Sequence, residues 1–325
     1  MAMTSVATRT SGKPFAMKRT FVVGCPRSGT TVVQAMLARH PAVFSLPETG
    51  FFAHVHGNLA WRWGDAHARH REPRLRQRLG FTRKHERELF VSLQRLTTAA
   101  PATLPRPSLR MHTLQRRFIR LLDQLALAAD RGMWLEKTPN HLLYLPEIES
   151  LVPDARFVHV IRPGAEVIAS LIDASLLFDG SDDAFGGGTV HWSRRWNRAV
   201  QIHRSYMHHP RHYLLFLEDL VAQPQQEWKR LCRFLELDPA QSLDDNCTQV
   251  IADLDQEPWK RRALNGRLHA PESKVDSLFG PKVQRWLQAK LASYDELRAQ
   301  WLQARGMQEP HAVPRNVVAL SSNGN

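Results

Sequence analysis

The run Gly24-Cys25-Pro26-Arg27-Ser28-Gly29-Thr30-Thr31 has the residue types and spacing to hold an anion. Its two glycines frame a tight loop between an apolar β-type stretch, Thr20–Gly24, and an amphipathic helix through Val33, Ala35, Met36 and Leu37. Backbone N–H groups at the positive end of a helix cradle phosphate-like groups. The spacing is G-x-x-x-x-G, but Thr30 and Thr31 stand where a nucleoside-triphosphate loop carries Lys and Ser/Thr. Positive charge in this loop therefore comes from Arg27, with Ser28, Gly29, Thr30 and Thr31 as the other candidate contacts.

A second anion site is suggested by Arg156–Ile161, a near-continuous apolar run that ends in Arg162 and Pro163. Metal-dependent nucleotide hydrolases place an Asp at the end of such a strand to help hold the metal. An arginine there would bind an anionic group directly and bidentately. Ser170 lies about two helical turns further on and can add a hydroxyl to the same group. The plain alternative is an exposed arginine and an ordinary helix serine.

These groups need a scaffold that ends its strands at one edge. Short apolar runs at Thr20–Gly24, Met133–Leu135, Arg156–Ile161 and His212–Leu217 read as buried parallel strands. Helical patterns follow at Thr30–Arg39, His141–Leu151, Gly164–Ala174 and Gln225–Leu235, with another at Thr189–His208. Alternation of this kind predicts an α/β fold, P-loop-like and three-layered, with a central parallel sheet flanked by helices. Residues 51–130 form a largely helical insertion, broken by a proline-rich hinge at 101–107, and Asp179–Gly188 reads as a flexible loop. Residues 1–18 read as a disordered leader, 19–305 as one domain and 306–325 as a flexible tail.

The chain has 325 residues, 43% of them hydrophobic, enough for one large domain. No apolar run approaches the roughly 20 residues of a membrane span, and the N-terminus has no secretory h-region. Cys25, Cys232 and Cys247 show no paired spacing, which predicts free thiols in a reducing, cytoplasmic setting, with Cys25 as a small buried spacer. Net charge is +13. The densest basic stretch, Arg62–Arg87, also carries glutamates and lacks a basic/aromatic interleave, so nucleic acid is not the expected partner. It reads as a solvated helical face, or as a surface that attracts an acidic acceptor. The His67-x-x-His70 spacing is read as solvated, and no metal is expected.

Several segments together carry a family resemblance. Pro26-Arg27-Ser28-Gly29-Thr30-Thr31 resembles the 5′-phosphosulfate loop of sulfotransferases that use 3′-phosphoadenosine 5′-phosphosulfate (PAPS). Val160–Ser170 resembles that family's 3′-phosphate motif, with Arg162 and Ser170 at the matching positions. Trp134-Leu135-Glu136-Lys137-Thr138-Pro139 is similar to an E-K-T-P segment of bacterial members, and Leu217-Glu218-Asp219-Leu220 to a late Y-E-D-L junction, with Leu217 replacing tyrosine. Among members, His40-Pro41, Glu48-Thr49 and Trp196-Asn197-Arg198-Ala199 resemble segments of the protein-tyrosine sulfotransferases, where Arg usually follows the Glu-Thr pair instead of Gly50.

The resemblance implies sulfuryl transfer from PAPS, without a metal, to an acceptor hydroxyl. Glu48 is then the candidate general base and Lys137 the candidate that offsets charge at the transferring group. The alternatives are a capping or ion-paired Glu48, a Lys137 that pairs with its neighbour Glu136, and His54 or His141 as the base. His141 is read first as orienting the turn after Pro139, and His159 as a strand residue without chemistry. A late basic patch is expected to complete the nucleotide site, from Lys260, Arg261, Arg262 or Lys274. A tyrosine in an acidic peptide is the favoured acceptor; a glycan, lipid, phenol or alcohol is the alternative, and oligomeric state is left open.

Overall fold

The computed structural model describes residues 16–65, 75–96, 104–177, 186–241 and 273–306. The His67/His70 pair, Cys247, Lys260, Arg261, Arg262, most of the Asp179–Gly188 loop, most of the leader and nearly all of the tail lie outside these residues.

Five parallel strands form the centre, in the order β2-β3-β1-β4-β5. They are β1 (Lys18–Gly24), β2 (Val43–Ser45), β3 (Met133–Lys137), β4 (Arg156–Ile161) and β5 (His212–Phe216). β1 lies between β3 and β4, so the chain's first strand marks a point where the winding reverses, and ligands of open α/β sheets bind at such a point beyond the strands' carboxyl ends. Val22 pairs with Lys137 on one side of β1, and Gly24 with Val160 on the other. The loop after Gly24, Lys137 and Arg162 are therefore delivered to one edge of the sheet, on strands about 4.8 Å apart.

Helices flank this sheet: α1 (Thr30–Ala38), α2 (Phe51–His56), α3 (Leu59–Arg62), α4 (Leu75–Arg78), α5 (Lys84–Gln94) and α6 (Met111–Ala128) precede β3. A 3-10 turn (Pro139–Tyr144), α7 (Leu145–Leu151), α8 (Gly164–Leu177) and α9 (Gly188–Ser205) follow. After β5 come α10 (Leu217–Ala222), α11 (Pro224–Leu235), α12 (Val275–Leu278), α13 (Pro281–Lys290) and α14 (Tyr294–Ala304).

Burial on both faces explains the apolar strands. Phe21 of β1 stacks on Phe157 of β4 at 5.5 Å between centroids and meets Trp134 of β3 edge-on at 5.2 Å. The insertion joins this core through aromatic packing, with Phe51 stacked on Phe118 at 3.7 Å. On α6 the buried residues Leu114, Phe118, Leu121, Leu122 and Leu125 make one helical stripe, while Asp123 accepts from Trp134 Nε1 at 2.8 Å and pairs with Arg19 at 2.8 Å.

Three details differ from the expectation. Strand β2 was not foreseen: three residues are too few for a periodic signal, and Gln34 of α1 holds them by donating to Ser45 Oγ at 3.1 Å and to the Leu46 carbonyl at 2.6 Å. The helix expected from His141 is a 3-10 turn up to Tyr144, after which Pro146 opens α7. Lys18, assigned to the leader, is the first residue of β1 and donates its N–H to the Gly132 carbonyl at 3.0 Å.

Candidate active site at the carboxyl edge of the sheet

The loop after β1 turns on two residues with positive φ, Arg27 at 69° and Gly29 at 94°. Ser28 N–H closes the turn onto the Cys25 carbonyl at 3.2 Å. Gly29 caps α1 and offers no side-chain acceptor, so nothing competes with an anion for the N–H groups of the helix's first turn. A Cβ at Gly29 would lie 2.9 and 3.0 Å from the two methyls of Leu217, which packs on the loop where the resembling segment has tyrosine. Gly29→Ala is expected to cost about 1–3 kcal/mol of stability, from backbone strain and this clash, read as a shift in urea midpoint. Cys25 is buried, and burial pushes its thiol up to about 12 against the pull of Arg195, which makes it an inert spacer.

Arg27 reaches from the loop to α8, where its Nε donates to Ser170 Oγ at 3.1 Å. Burial and the neighbouring charge of Arg162 both lower its pKa, with Asp173 acting in the opposite sense. Arg162 is 8% exposed and donates to Glu166 Oε2 at 3.0 Å, yet its Nε is buried with no hydrogen-bond partner among the described residues. Two cations in mutual repulsion, one with an unused buried donor, are a fitting receptor for an anionic group. Trp196 fixes the position of Arg162: its Nε1 donates to the Arg162 carbonyl at 3.1 Å, and its ring fills the space a side chain at Gly164 would need.

Helix α8 organises this side of the site. Glu166 holds Arg162, Ser170 holds Arg27, and Asp173 pairs with Lys274. Ser273, beside Lys274, donates to the other oxygen of Glu166 at 2.6 Å. Sequence reasoning missed Ser273, whose only signal was its position next to Lys274. The W-N-R-A and L-E-D-L segments serve mainly as clamps: Asn197 bonds both the Lys290 carbonyl and the Ala292 N–H at 2.8 Å, and Asp219 takes two 2.9 Å bonds from Arg298.

On the β3 side, Lys137 Nζ donates to Glu48 Oε2 at 2.5 Å. Lys137 is fully buried and the Glu48 side chain is 28% exposed, so the pair presents its carboxylate outward. Pairing of Lys137 with Glu136 is ruled out by strand alternation, which sends successive side chains to opposite faces. Glu136 instead gathers hydrogen bonds from Thr49 Oγ1 at 2.8 Å, Thr138 Oγ1 at 2.6 Å and His141 Nδ1 at 2.9 Å. Burial alone would raise its pKa; His141 and these hydrogen bonds outweigh that and hold the carboxyl below its ordinary value. His141 Nε2 accepts the Phe52 N–H at 3.2 Å, so both ring nitrogens are engaged and the ring holds the turn after Pro139.

His54 follows the loop that carries Glu48 and donates its backbone N–H to the Gly50 carbonyl at 3.0 Å. A Cβ at Gly50 would come within 3.0 Å of its Nε2, and Gly50 sits at φ 58°. Glycine adopts this left-handed conformation without the cost that a side chain brings. His54 is partly exposed, its ring meets His85 edge-on at 4.8 Å, and partial burial, then His85 and His141, lower its pKa. It stays accessible beside Glu48 as a second candidate base.

Among the described residues, Glu149, His209 and His212 bring three metal-type ligand atoms within 4.8 Å of one another. Their hydrogen bonds do not suit a cation. Arg211 pairs with Glu149 at 3.0 Å, and His209 Nδ1 accepts the Arg211 N–H at 3.3 Å, which leaves the ring proton on the nitrogen that would have to ligate.

The chain is also similar to known proteins. The chain is 26% identical over 226 residues to protein-tyrosine sulfotransferase 1 of Danio rerio, an overlap of 67% of this chain and 52% of the relative. It is 26% identical over 219 residues to protein-tyrosine sulfotransferase 2 of Gallus gallus, covering 66% and 50%. The chain thus spans about half the length of the curated relatives it matches. Among solved structures it is similar to the sulfotransferase domain of the Synechococcus PCC 7002 olefin synthase, with a TM-score of 0.47, 18% identity, and coverage of 93% and 100%. Residues 20–241, which carry the anion loop, the Lys137–Glu48 pair and the Arg162 motif, match the model of the sulfotransferase family, and the chain belongs to that family.

Proposed function

We propose that this chain transfers a sulfuryl group from PAPS to an acceptor hydroxyl, with a tyrosine in an acidic peptide as the favoured acceptor. The observation that carries the proposal is the Lys137–Glu48 pair at 2.5 Å, at the same sheet edge as the Arg27–Arg162 cradle and its unpartnered buried Nε. The residues fit an adenosine bisphosphate-type group. Arg27, Ser28, Gly29, Thr30 and Thr31 would hold the 5′-phosphosulfate, and Arg162, Ser170 and Lys274 the 3′-phosphate. When bound, the co-substrate supplies an activated sulfuryl group on a phosphate leaving group.

Glu48, the more exposed partner of the pair, accepts the proton of the acceptor hydroxyl. Lys137, buried and already ionically engaged, moves its charge toward the oxygen where negative charge develops, in a site where screening is weak. The direct arginine contacts do the work that metal-dependent nucleotide enzymes assign to a cation, so no resident metal is part of this proposal. The peptide acceptor is supported by the names of the relatives and by the +13 charge, and a glycan, lipid, phenol or alcohol acceptor would change the acceptor wall but not this chemistry. Cys25 and Cys232 are buried free thiols, consistent with the reducing, cytoplasmic compartment we assign. Among the described residues no helix is long and apolar enough to cross a membrane.

Incubation with labelled PAPS and a panel of tyrosine peptides, glycans, lipids and phenols, scored by mass, tests the reaction; a panel with no sulfated product refutes it. Arg162→Ala is expected to weaken adenosine 3′,5′-bisphosphate binding by about 10–100-fold, the worth of a charge-assisted contact. Calorimetry without added metal checks this, and unchanged affinity removes Arg162 from the nucleotide site.

A further inference from the structure

Helix α5 of the insertion has two unlike faces. Glu86, Phe90 and Leu93 are buried, and Glu86 is paired with Arg76 at 3.1 Å. The outer face opens on a cavity of about 410 Å³ lined by Lys84, Arg87, Glu88, Val91, Ser92 and Arg95. Three cations there oppose one carboxylate, and that carboxylate, Glu88, already faces Lys84 at 3.4 Å. Arg87 is held in place: its Nη1 donates to both the carbonyl and the hydroxyl of Thr82 at 3.2 Å. Ser92 Oγ donates to the Leu89 carbonyl, its own helix, at 2.7 Å. Val91, 38% exposed, sits between the charges.

One flank of α5 touches the segment that follows Glu48. His85, on the neighbouring flank of α5, meets the His54 ring at 4.8 Å, and His54 borders Gly50, two residues from Glu48. From Lys84 to Arg95 the helix rises roughly 16 Å, the length of about five residues of extended chain. A peptide whose hydroxyl reached Glu48 would have α5 within the span of its neighbouring residues.

We infer that the Lys84–Arg87–Arg95 face of α5 is a docking surface for an acidic peptide segment next to the residue presented at Glu48; this rests on the proposed sulfuryl transfer. The face carries no reacting group. It acts on acceptor affinity and on the choice between acidic and neutral peptides, through partly exposed charges that salt screens.

The test is binding of a fluorescent tyrosine peptide flanked by glutamates, and of its glutamine counterpart, to the full chain with adenosine 3′,5′-bisphosphate present. Wild type is expected to prefer the acidic peptide by about tenfold or more at low ionic strength, and to lose most of that preference at high salt. Arg87→Glu with Arg95→Glu should erase the preference. Lys84→Glu with Arg95→Glu, both at exposed positions away from the Thr82 contacts, should do so too and guards against a folding defect in the first pair. Wild-type preference in both reversal variants overturns the inference. Duplex DNA that binds more tightly than the acidic peptide and is lost with the same reversals also overturns it, in favour of a nucleic-acid surface. Binding is read without turnover, so failure of this docking and failure of the proposed reaction are separate results.

Discussion

Glu48→Gln is expected to lower turnover by about 10²–10⁴-fold, the range over which a positioned base contributes, while adenosine 3′,5′-bisphosphate affinity changes less than about threefold. The glutamine keeps the shape of the side chain and its contact with Lys137 Nζ, so loss of rate reports the missing proton acceptor rather than a collapsed loop. Lys137→Met should lower turnover by about 10²–10³-fold, because in the proposed reaction the buried ammonium meets developing charge on this side of the site. Its partner Glu48 is 28% exposed and can hydrate when the lysine is gone, so this variant is expected to fold. Steady-state kinetics on any sulfated acceptor, with calorimetry of the bisphosphate product, separates the two effects. Wild-type rates in both variants would remove the pair from the chemistry. A Glu48→Gln enzyme that stays active while His54→Ala is dead would move the base to His54, the accessible imidazole beside Gly50.

Acidification from about pH 7.5 should weaken the protein before its carboxylates begin to titrate. His159 of β4, His203 of α9 and His212 of β5 are buried in one chain: His159 Nδ1 lies 2.9 Å from His203 Nδ1, and His159 Nε2 lies 2.8 Å from His212 Nδ1. His212 Nε2 continues to Glu149 Oε1 at 3.2 Å, where Arg211 and His209 also converge. One proton per ring satisfies this chain, each donor meeting an acceptor in the direction His203 to His159 to His212 to Glu149. A second proton on His159 would set donor against donor.

Burial accordingly lowers His203 to about 3, burial with His209 and Arg211 lowers His212 to about 2, and burial with His203 and His212 takes His159 well below its ordinary value. In the unfolded chain all three titrate near 6.5. Above that value neither state takes up protons and full stability is present. Below it the unfolded state gains protons that the folded state refuses, and stability falls until the folded pKa values are reached. Three such groups give a loss of about 4 kcal/mol between about pH 7.5 and 5.5, a large part of a typical domain's 5–15 kcal/mol. Urea unfolding across that window checks the slope, and a flat profile would contradict the neutral chain. His203→Asn should reduce the slope by about a third.

Much of the scaffold was legible because its signals are local. Phe21-Val22-Val23 and Phe157-Val158-His159-Val160-Ile161 are continuous apolar runs, as parallel strands covered on both faces must be, and each ends in a turn and a helix start. Gly29 was legible for the same reason, since it adopts φ 94° in the turn itself, whereas the need for glycine at position 24, where a Cβ would come 2.5 Å from the Val160 carbonyl, is set by the neighbouring strand. Strand β2 was not, since three residues show no period and are held by Gln34, a contact that only the folded chain makes. The histidine chain was equally hidden, because its members come from residues 159, 203 and 212, on β4, α9 and β5, and meet only when the sheet and helix pack.

By itself the sequence determined which charged groups stand in which local frame: a glycine-framed loop with an internal arginine, an arginine and a lysine each at the end of an apolar strand, and a glutamate just ahead of the helical insertion. These are set by side-chain identity and by backbone preferences acting over a few residues. Which groups face each other was decided only by the tertiary structure. Strand alternation turns Lys137 away from Glu136 and toward Glu48, the order β3-β1-β4 brings Lys137, Arg27 and Arg162 to one edge, and α8 aligns Ser170 and Asp173 against Arg27 and Lys274. Partners that are 89, 143 and 101 residues apart in the chain meet only when the sheet closes, because sheet order and register, not sequence spacing, set the distances between charges.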